Sequence, residues 1–383
     1  MTGASTGAGG ALAGVRVLDF SGLLPGPLAS LMLAEAGAEV IKVERPAGGD
    51  DMRNRRPALG SSSAAFALLN RGKRSVAADL KAPGAFESLR DLVASSDVLL
   101  EQFRPGVMEK LGFGYEAVRA VNPRIVYCSL TGYGQSGARA DVAGHDLNYA
   151  AASGLLSLAA DADGTPSMPA AMVGDIAGGT LPVVVNVLLA LIQRERTGQG
   201  CHLDIAMADN LFLFEYWALA RGFAADLWPP PGRNDLTGAS PRYRMYRTRD
   251  GRHLAVGAIE DRFWGELCDA IGLAEDERTQ GGEALASAVA ARIAMRTADE
   301  WEQALAGRDA CATVVRTVAE AAADRHVRAR GAFADRVVDG ARTIPALPVP
   351  LADAVRARHA ERAAPALGEA DVASLGTRPA VAP

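Results

Sequence analysis

Among the 383 residues are five histidines, and one of them stands apart. His202 and His253 fall in alternating apolar runs that read as strands, and His326 and His359 in Arg/Ala-rich runs that read as helices. His145 sits in Ala-Gly-His-Asp-Leu-Asn-Tyr, where a helix should begin. The positive end of a helix dipole disfavours an imidazolium and leaves a neutral base near physiological pH. A capping histidine fits the same position. Asp175, in Met-Val-Gly-Asp-Ile-Ala-Gly-Gly, also opens a helix. It reads either as an N-cap accepting a backbone N–H or as a carboxylate aimed where a substrate meets free helix amides, which also stabilise an oxyanion. Asp146 reads as the cap of its own helix. Glu260 ends one run and starts the next helix, where a lone glutamate is ordinarily solvated. Arg45, the run Arg71-Gly-Lys-Arg74 and Arg104-Pro-Gly suit phosphate binding at strand-to-helix turns, or are solvated surface charge.

These residues need a scaffold. The run VRVLDF (15–20) reads as a buried strand, followed by SGLLPGP, an apolar helix from about Leu28 to Ala36, and the strand VIKVE (40–44). That βαβ unit starts a parallel sheet, which DVLLEQF (97–103) and RIVYCSL (124–130) continue. Glu44 stands where a dinucleotide's ribose-binding acid would sit, but the preceding turn carries Pro25 and Pro27 in place of a G-x-G-x-x-G fingerprint, so NAD binding is not expected. Helices follow at about 147–159, 176–195 and 209–224, with strand CHLDIAM (201–207) between the last two. The Pro-rich stretch at 227–235 marks a domain break. An Arg-Asp-Gly turn centred on 249–251 then predicts a hairpin, with Ala/Arg/Glu-rich helices over about 262–330.

The composition narrows the class. A hydrophobic share of 49% with 22% charged residues is that of a folded globular chain. A net charge of −5 argues against a nucleic-acid or anionic-membrane partner held by a basic field. Cys128, Cys201, Cys268 and Cys311 show no metal-ligand spacing, so neither a zinc site nor a disulfide framework is expected. The stretch Leu181–Ile192 is too short to span a bilayer and reads as a buried helix. The N-terminal residues lack a signal-peptide pattern, which makes a cytoplasmic location the expectation.

Several segments together resemble the class III CoA-transferase superfamily: 15–46, LNRGKRSVAADLK (69–81), EQFRPGVMEKLGFGYE (101–116) and SLTGYGQSG (129–137). GHDLNY (144–149), GDIAGG (174–179) and YRTRDGRHLAVGAIEDRF (246–263) most resemble the 2-methylacyl-CoA racemases within it. The resemblance runs from about residue 14 to 315. It implies an α/β fold: an interlocked homodimer with a Rossmann-like large domain (14–205) and a smaller α+β domain (240–335). A disordered tail (1–13), a linker (206–239) and a C-terminal segment returning to the large domain (336–383) complete the expected organisation. It also implies His145 and Asp175 as the acid–base pair and Glu260 as the group orienting the histidine, from the partner subunit. Contacts to the CoA ester are implied for Arg45, Ala77, Ala78, Asp79, Leu80, Arg104, Gly144, Asp146, Leu147, Asn148 and Tyr149. No metal or separate cofactor is expected, since CoA is part of the substrate.

One departure stands out. Four residues before Asp175, where the racemases usually carry asparagine, this chain has Ala171. Three readings stay open: a racemase or epimerase of a 2-methylacyl-CoA, a CoA-transferase using Asp175 as nucleophile, and a non-catalytic acyl-CoA-binding homologue.

Overall fold

A computed structural model describes residues 9–160, 164–232, 234–357 and 359–376. The first apolar run forms β1 (Arg16–Asp19) and the next forms β2 (Glu39–Glu44), joined by the helix Pro25–Glu35. Every residue of that helix is buried, as a helix apolar on all sides requires. It begins three residues before the expected Leu28, because prolines are tolerated in a first helical turn. β3 (Arg74–Ala77), β4 (Val98–Glu101), β5 (Val126–Thr131) and β6 (Cys201–Ala206) complete a six-stranded sheet in the order β3-β2-β1-β4-β5-β6. All its pairings are parallel. Layers cover both faces: Leu89, Leu92, Phe113 and Val118 pack on one, and Leu28, Leu31 and Met32 on the other. The strand order reverses between β1 and β4, and in such sheets ligands bind outside the carboxyl ends of the strands at that point.

The chain divides into two compact units. The first holds the chain up to Ser153, Ala171–Phe212 and the chain from Arg325 onward; the second holds Gly154–Ala170 and Leu213–Asp324. Residues 154–170 therefore group with the second unit, and 325–335 with the first, where the sequence pattern suggested the opposite. In the first unit, a small sheet of β10 (Arg336–Asp339), β11 (Arg342–Pro345) and β12 (Glu361–Ala363) is tied down by Asp339, which accepts hydrogen bonds from Ser61 and Ser62. Leu375 reaches the main core cluster. The second unit carries the expected hairpin, β7 (Tyr243–Arg247) and β8 (His253–Gly257). It also has a strand the sequence did not reveal, β9 (Ala312–Val314), three residues long amid helices. Helices Asp261–Ile271, Gly282–Ile293 and Ala298–Leu305 build its core around Trp264, Val289 and Trp301.

Other expectations change. Of the expected tail, residues 1–8 lie outside the described residues, but Leu12 is buried and donates its N–H to Ala36. His359 lies in irregular chain before β12, not in a helix. Nor is the apolar stretch at 181–192 wholly buried: helix Leu181–Thr197 buries Val183, Val187 and Leu191 and exposes Leu181, Val185, Leu189 and Ile192. Together with the preceding turn it forms a 24-residue helical stretch, long and apolar enough to cross a membrane by length and composition. It is tied into the first unit by the Arg194–Asp97 ion pair and by the Thr180 hydroxyl donating to the Pro25 carbonyl.

Candidate active site

At the carboxyl ends of β1–β4 lies a cleft of about 610 Å³. Its walls are Phe20–Leu23 after β1, residues around Arg45 and Gly49 after β2, Ala78–Lys81 after β3, and Gln102 and Phe103 after β4. Of the residues implied for CoA, Arg45, Ala78, Asp79 and Leu80 line it. Ala77 is the last residue of β3, and exposed Arg104 follows Phe103. The Arg45 guanidinium donates to the Gly49 carbonyl at 2.9 and 3.1 Å and pairs with Asp51. Exposed Lys81 adds a second cation at the rim.

Beneath the cleft lies a buried charge network. Lys42 is fully buried, paired with Asp50 at 2.9 Å and donating to the Ser21 carbonyl at 2.7 Å. Arg53 grips Glu44 through two bonds of 2.6 and 2.7 Å while Ser75 donates to the same carboxylate at 2.6 Å. With both oxygens engaged, Glu44 has no role left on a ribose. Arg71 and Lys73 are also internal, which corrects their reading as phosphate ligands. Arg71 pairs with Glu35 at 2.9 Å. Lys73 donates to Pro27, Ser30 and Asn70 and pairs with Asp19. Burial, the largest influence on Asp19, would raise its pKa, but Lys73 and Lys42 bring it down to about 2. Of these groups, Lys42, Glu44 and Asp50 line the cleft itself.

The second part of the site is built by two helix starts in the same unit. His145 immediately precedes the helix Asp146–Ser153, exposed, with its N–H capped by the Asn148 side chain at 3.0 Å. Tyr149 donates to the Gly144 carbonyl at 2.5 Å and stacks edge-on against Tyr133, which fixes the loop entering the helix; Leu147 is exposed. Asp175 lies in a π-helical turn, Gly174–Thr180, that continues into Leu181–Thr197; such turns are frequent at functional sites. The Asp146 carboxylate accepts the Asp175 N–H at 2.9 Å. Asp146 thus caps the neighbouring helical turn and not its own helix. Gly174 permits this approach: a Cβ there would lie 3.1 Å from the Asp146 carbonyl oxygen and 3.2 Å from its carboxylate. Burial, then the Asp146 charge, push the Asp175 carboxyl up to about 6, against the opposing pull of His145. Asp175 is therefore a carboxylic acid able to gain and lose a proton near neutrality, beside an imidazole.

Glu260 lies in the second unit, exposed at the N-cap of Asp261–Ile271, with no side-chain cap bond. Sequence reasoning missed Gln102 and Phe103, which line the cleft, and the polar chain behind them at Glu101, Ser129 and His202. The only signal for that chain was polar residues inside apolar strand runs.

The first unit thus carries both a cleft with basic residues at its edge and two helix starts that present His145 and Asp175. The model of CoA-transferase family III matches residues 12–371, and the chain belongs to that family. It is 39% identical to the alpha-methylacyl-CoA racemase of Mus musculus over 95% of this chain and 92% of the mouse protein. It is 36% identical to the succinate–glutarate CoA-transferase of Agrobacterium fabrum over 94% and 93%. Among solved structures, a CAIB/BAIF family protein from Brucella suis superposes with a TM-score of 0.80 at 31% identity, covering 94% of this chain and 96% of that one.

Proposed function

We propose that the protein inverts the α-carbon of a 2-methyl-branched acyl-CoA thioester by moving a proton between His145 and Asp175. The observation that carries this reading is the proton affinity of Asp175, raised to about 6 at a helix start beside His145. Inversion needs a base on one face of the α-carbon and an acid on the other, and both groups must exchange roles near working pH. One residue takes the α-proton and the other returns a proton to the opposite face. The enolate oxygen formed between these steps needs N–H donors, and the first turn of Asp146–Ser153 would offer those of Asp146 and Leu147, since the Asn148 and Tyr149 N–H groups donate to the His145 carbonyl. The cleft would hold the CoA portion, with Arg45, Lys81 and Arg104 near its phosphates. The similarity to the mouse racemase supports the assignment.

The exposed stripe Leu181, Val185, Leu189 and Ile192 supports a homodimer, since a contiguous apolar face of this kind marks an interface. In that dimer Glu260 would orient His145 from the partner copy. Mixing inactive His145→Ala and Glu260→Gln proteins should then restore activity in heterodimers.

A second reading follows from the similarity to the Agrobacterium CoA-transferase: Asp175 attacks the thioester carbonyl, releasing CoA thiolate and forming a mixed anhydride. Deuterium wash-in separates the two. With a 2-methylacyl-CoA in D₂O and no acid acceptor, the racemase exchanges its α-proton and leaves no hydroxylamine-trappable Asp175 adduct. An adduct formed at a competent rate without α-exchange would overturn the proposal.

A further inference from the structure

Behind the cleft wall lies a buried carboxyl group that the proposed chemistry does not use. Glu101 closes β4, is 3% exposed, and accepts the Phe103 N–H at 2.8 Å. Ser129 on β5 is level with it across the strand pair and, as a hydroxyl donor, lowers its proton affinity. The Ser129 hydroxyl is 2.9 Å from Nε2 of His202 on β6. His202 is exposed, lies over the Tyr115 ring at a centroid distance of 5.0 Å, and meets the Tyr127 ring edge-on at 5.2 Å. A continuous chain of polar groups thus runs from the loop Gln102–Phe103–Arg104 to solvent. Parallel pairing sets it up: Tyr127 is level with His202, and Ser129 with both Glu101 and Asp204.

We infer that Glu101 is a positioning residue of the acyl-CoA cleft, holding the Gln102–Phe103 wall, and that it exchanges its proton with solvent through Ser129 and His202. The inference rests on the reading of the cleft as the CoA site.

The proton balance closes. With Glu101 neutral, its O–H donates to Ser129, and Ser129 donates to the lone pair on Nε2 of a neutral His202. In the ionised form, Glu101 has passed its proton to the Ser129 oxygen, and Ser129 has passed its own to Nε2. The imidazole has released one proton from its other nitrogen to water. Both forms keep every hydrogen bond in the chain, with directions reversed, and differ by one proton. Burial is the largest influence on Glu101 and lifts it to about 7, with Glu109 and Asp204 adding to it against Ser129 and the Phe103 N–H. The charged and titratable groups facing the chain are Glu109 from the helix Val107–Lys110, Tyr115 and Glu116 from Tyr115–Val121, Tyr127 on β5 and Asp204 on β6. None of them is a cation that could neutralise ionised Glu101. Ionisation therefore adds an unpaired negative charge behind the wall that would face the phosphates of CoA.

The test is calorimetric titration with CoA over a pH series from 5.5 to 8.5, with pH 6 and pH 8 as the two reference conditions, for wild type, Glu101→Gln and Ser129→Ala. Wild type should lose roughly threefold to tenfold in affinity relative to Glu101→Gln as the pH rises, the effect of one charge at a partly screened distance. Ser129→Ala removes a donor to the ionised carboxylate and should move the midpoint of this loss to higher pH. A purely structural role for Glu101 would change affinity equally at both pH values. If Glu101→Gln keeps the wild-type pH dependence, or Ser129→Ala leaves the midpoint in place, the inference is overturned while the cleft assignment stands. If CoA binds none of the three proteins at either pH, the cleft assignment falls and the inference with it.

Discussion

Replacing Asp175 by asparagine should remove α-proton exchange and at the same time stabilise the fold. The carboxyl group has a pKa of about 6 in the folded protein, lifted from 3.8 by burial first and then by Asp146. The folded state therefore holds a proton that the unfolded chain releases at lower pH. Stability falls as the pH rises wherever the folded state binds more protons. The penalty from Asp175 accordingly grows between about pH 4 and pH 6 and is complete above pH 6. A difference of about two pKa units corresponds to about 3 kcal/mol, which sets the upper limit of the gain. The asparagine amide keeps the side chain's shape without its charge, so Asp175→Asn should be about 1–3 kcal/mol more stable than wild type at pH 7.5. At pH 4 the two should be nearly equal. Urea unfolding of both proteins at pH 4, 5, 6 and 7.5 measures this difference, and deuterium wash-in on the same samples measures activity. A difference that is constant with pH, or an asparagine variant less stable at pH 7.5, would refute the assignment of Asp175 as a half-buried acid held against its preferred ionisation.

Two further outcomes are expected. Asp146→Asn keeps an oxygen that can accept the Asp175 N–H but removes the charge, so the acidic limb of the pH profile for exchange should move about one unit toward lower pH; an unmoved limb would separate Asp146 from the tuning of Asp175. Arg53→Met strips the partner from buried Glu44 and should cost about 3–5 kcal/mol in urea unfolding near neutral pH, with that loss shrinking in acid as Glu44 is protonated.

Part of this protein was legible in the residue order alone. The βαβ start, strands β4, β5 and β6, the hairpin of the second unit and the helix starts at His145 and Asp175 follow from apolar periodicity, turn residues and caps, whereas the short edge strand β3, with only Val76 and Ala77 apolar, gave no such signal. These signals act within about ten neighbouring residues. The motifs also carried enough local identity to indicate the family. What the sequence could not show was the partner of each polar side chain. Asp146 looks like the cap of its own helix, yet its carboxylate binds an N–H 29 residues away. Arg71 and Lys73 look like phosphate ligands, yet they are consumed by Glu35 and Asp19, 36 and 54 residues distant. His202 reads as an ordinary strand residue until β6 pairs with β5 and brings it to Ser129. Helix Leu181–Thr197 likewise reads as buried until packing covers only one of its faces. Local propensity is set by a residue and its neighbours along the chain, whereas burial and hydrogen-bond partners are set by what the fold brings close in space. The proton affinity of Asp175 depends on both burial and a carboxylate from another helix, so only the tertiary structure could decide it.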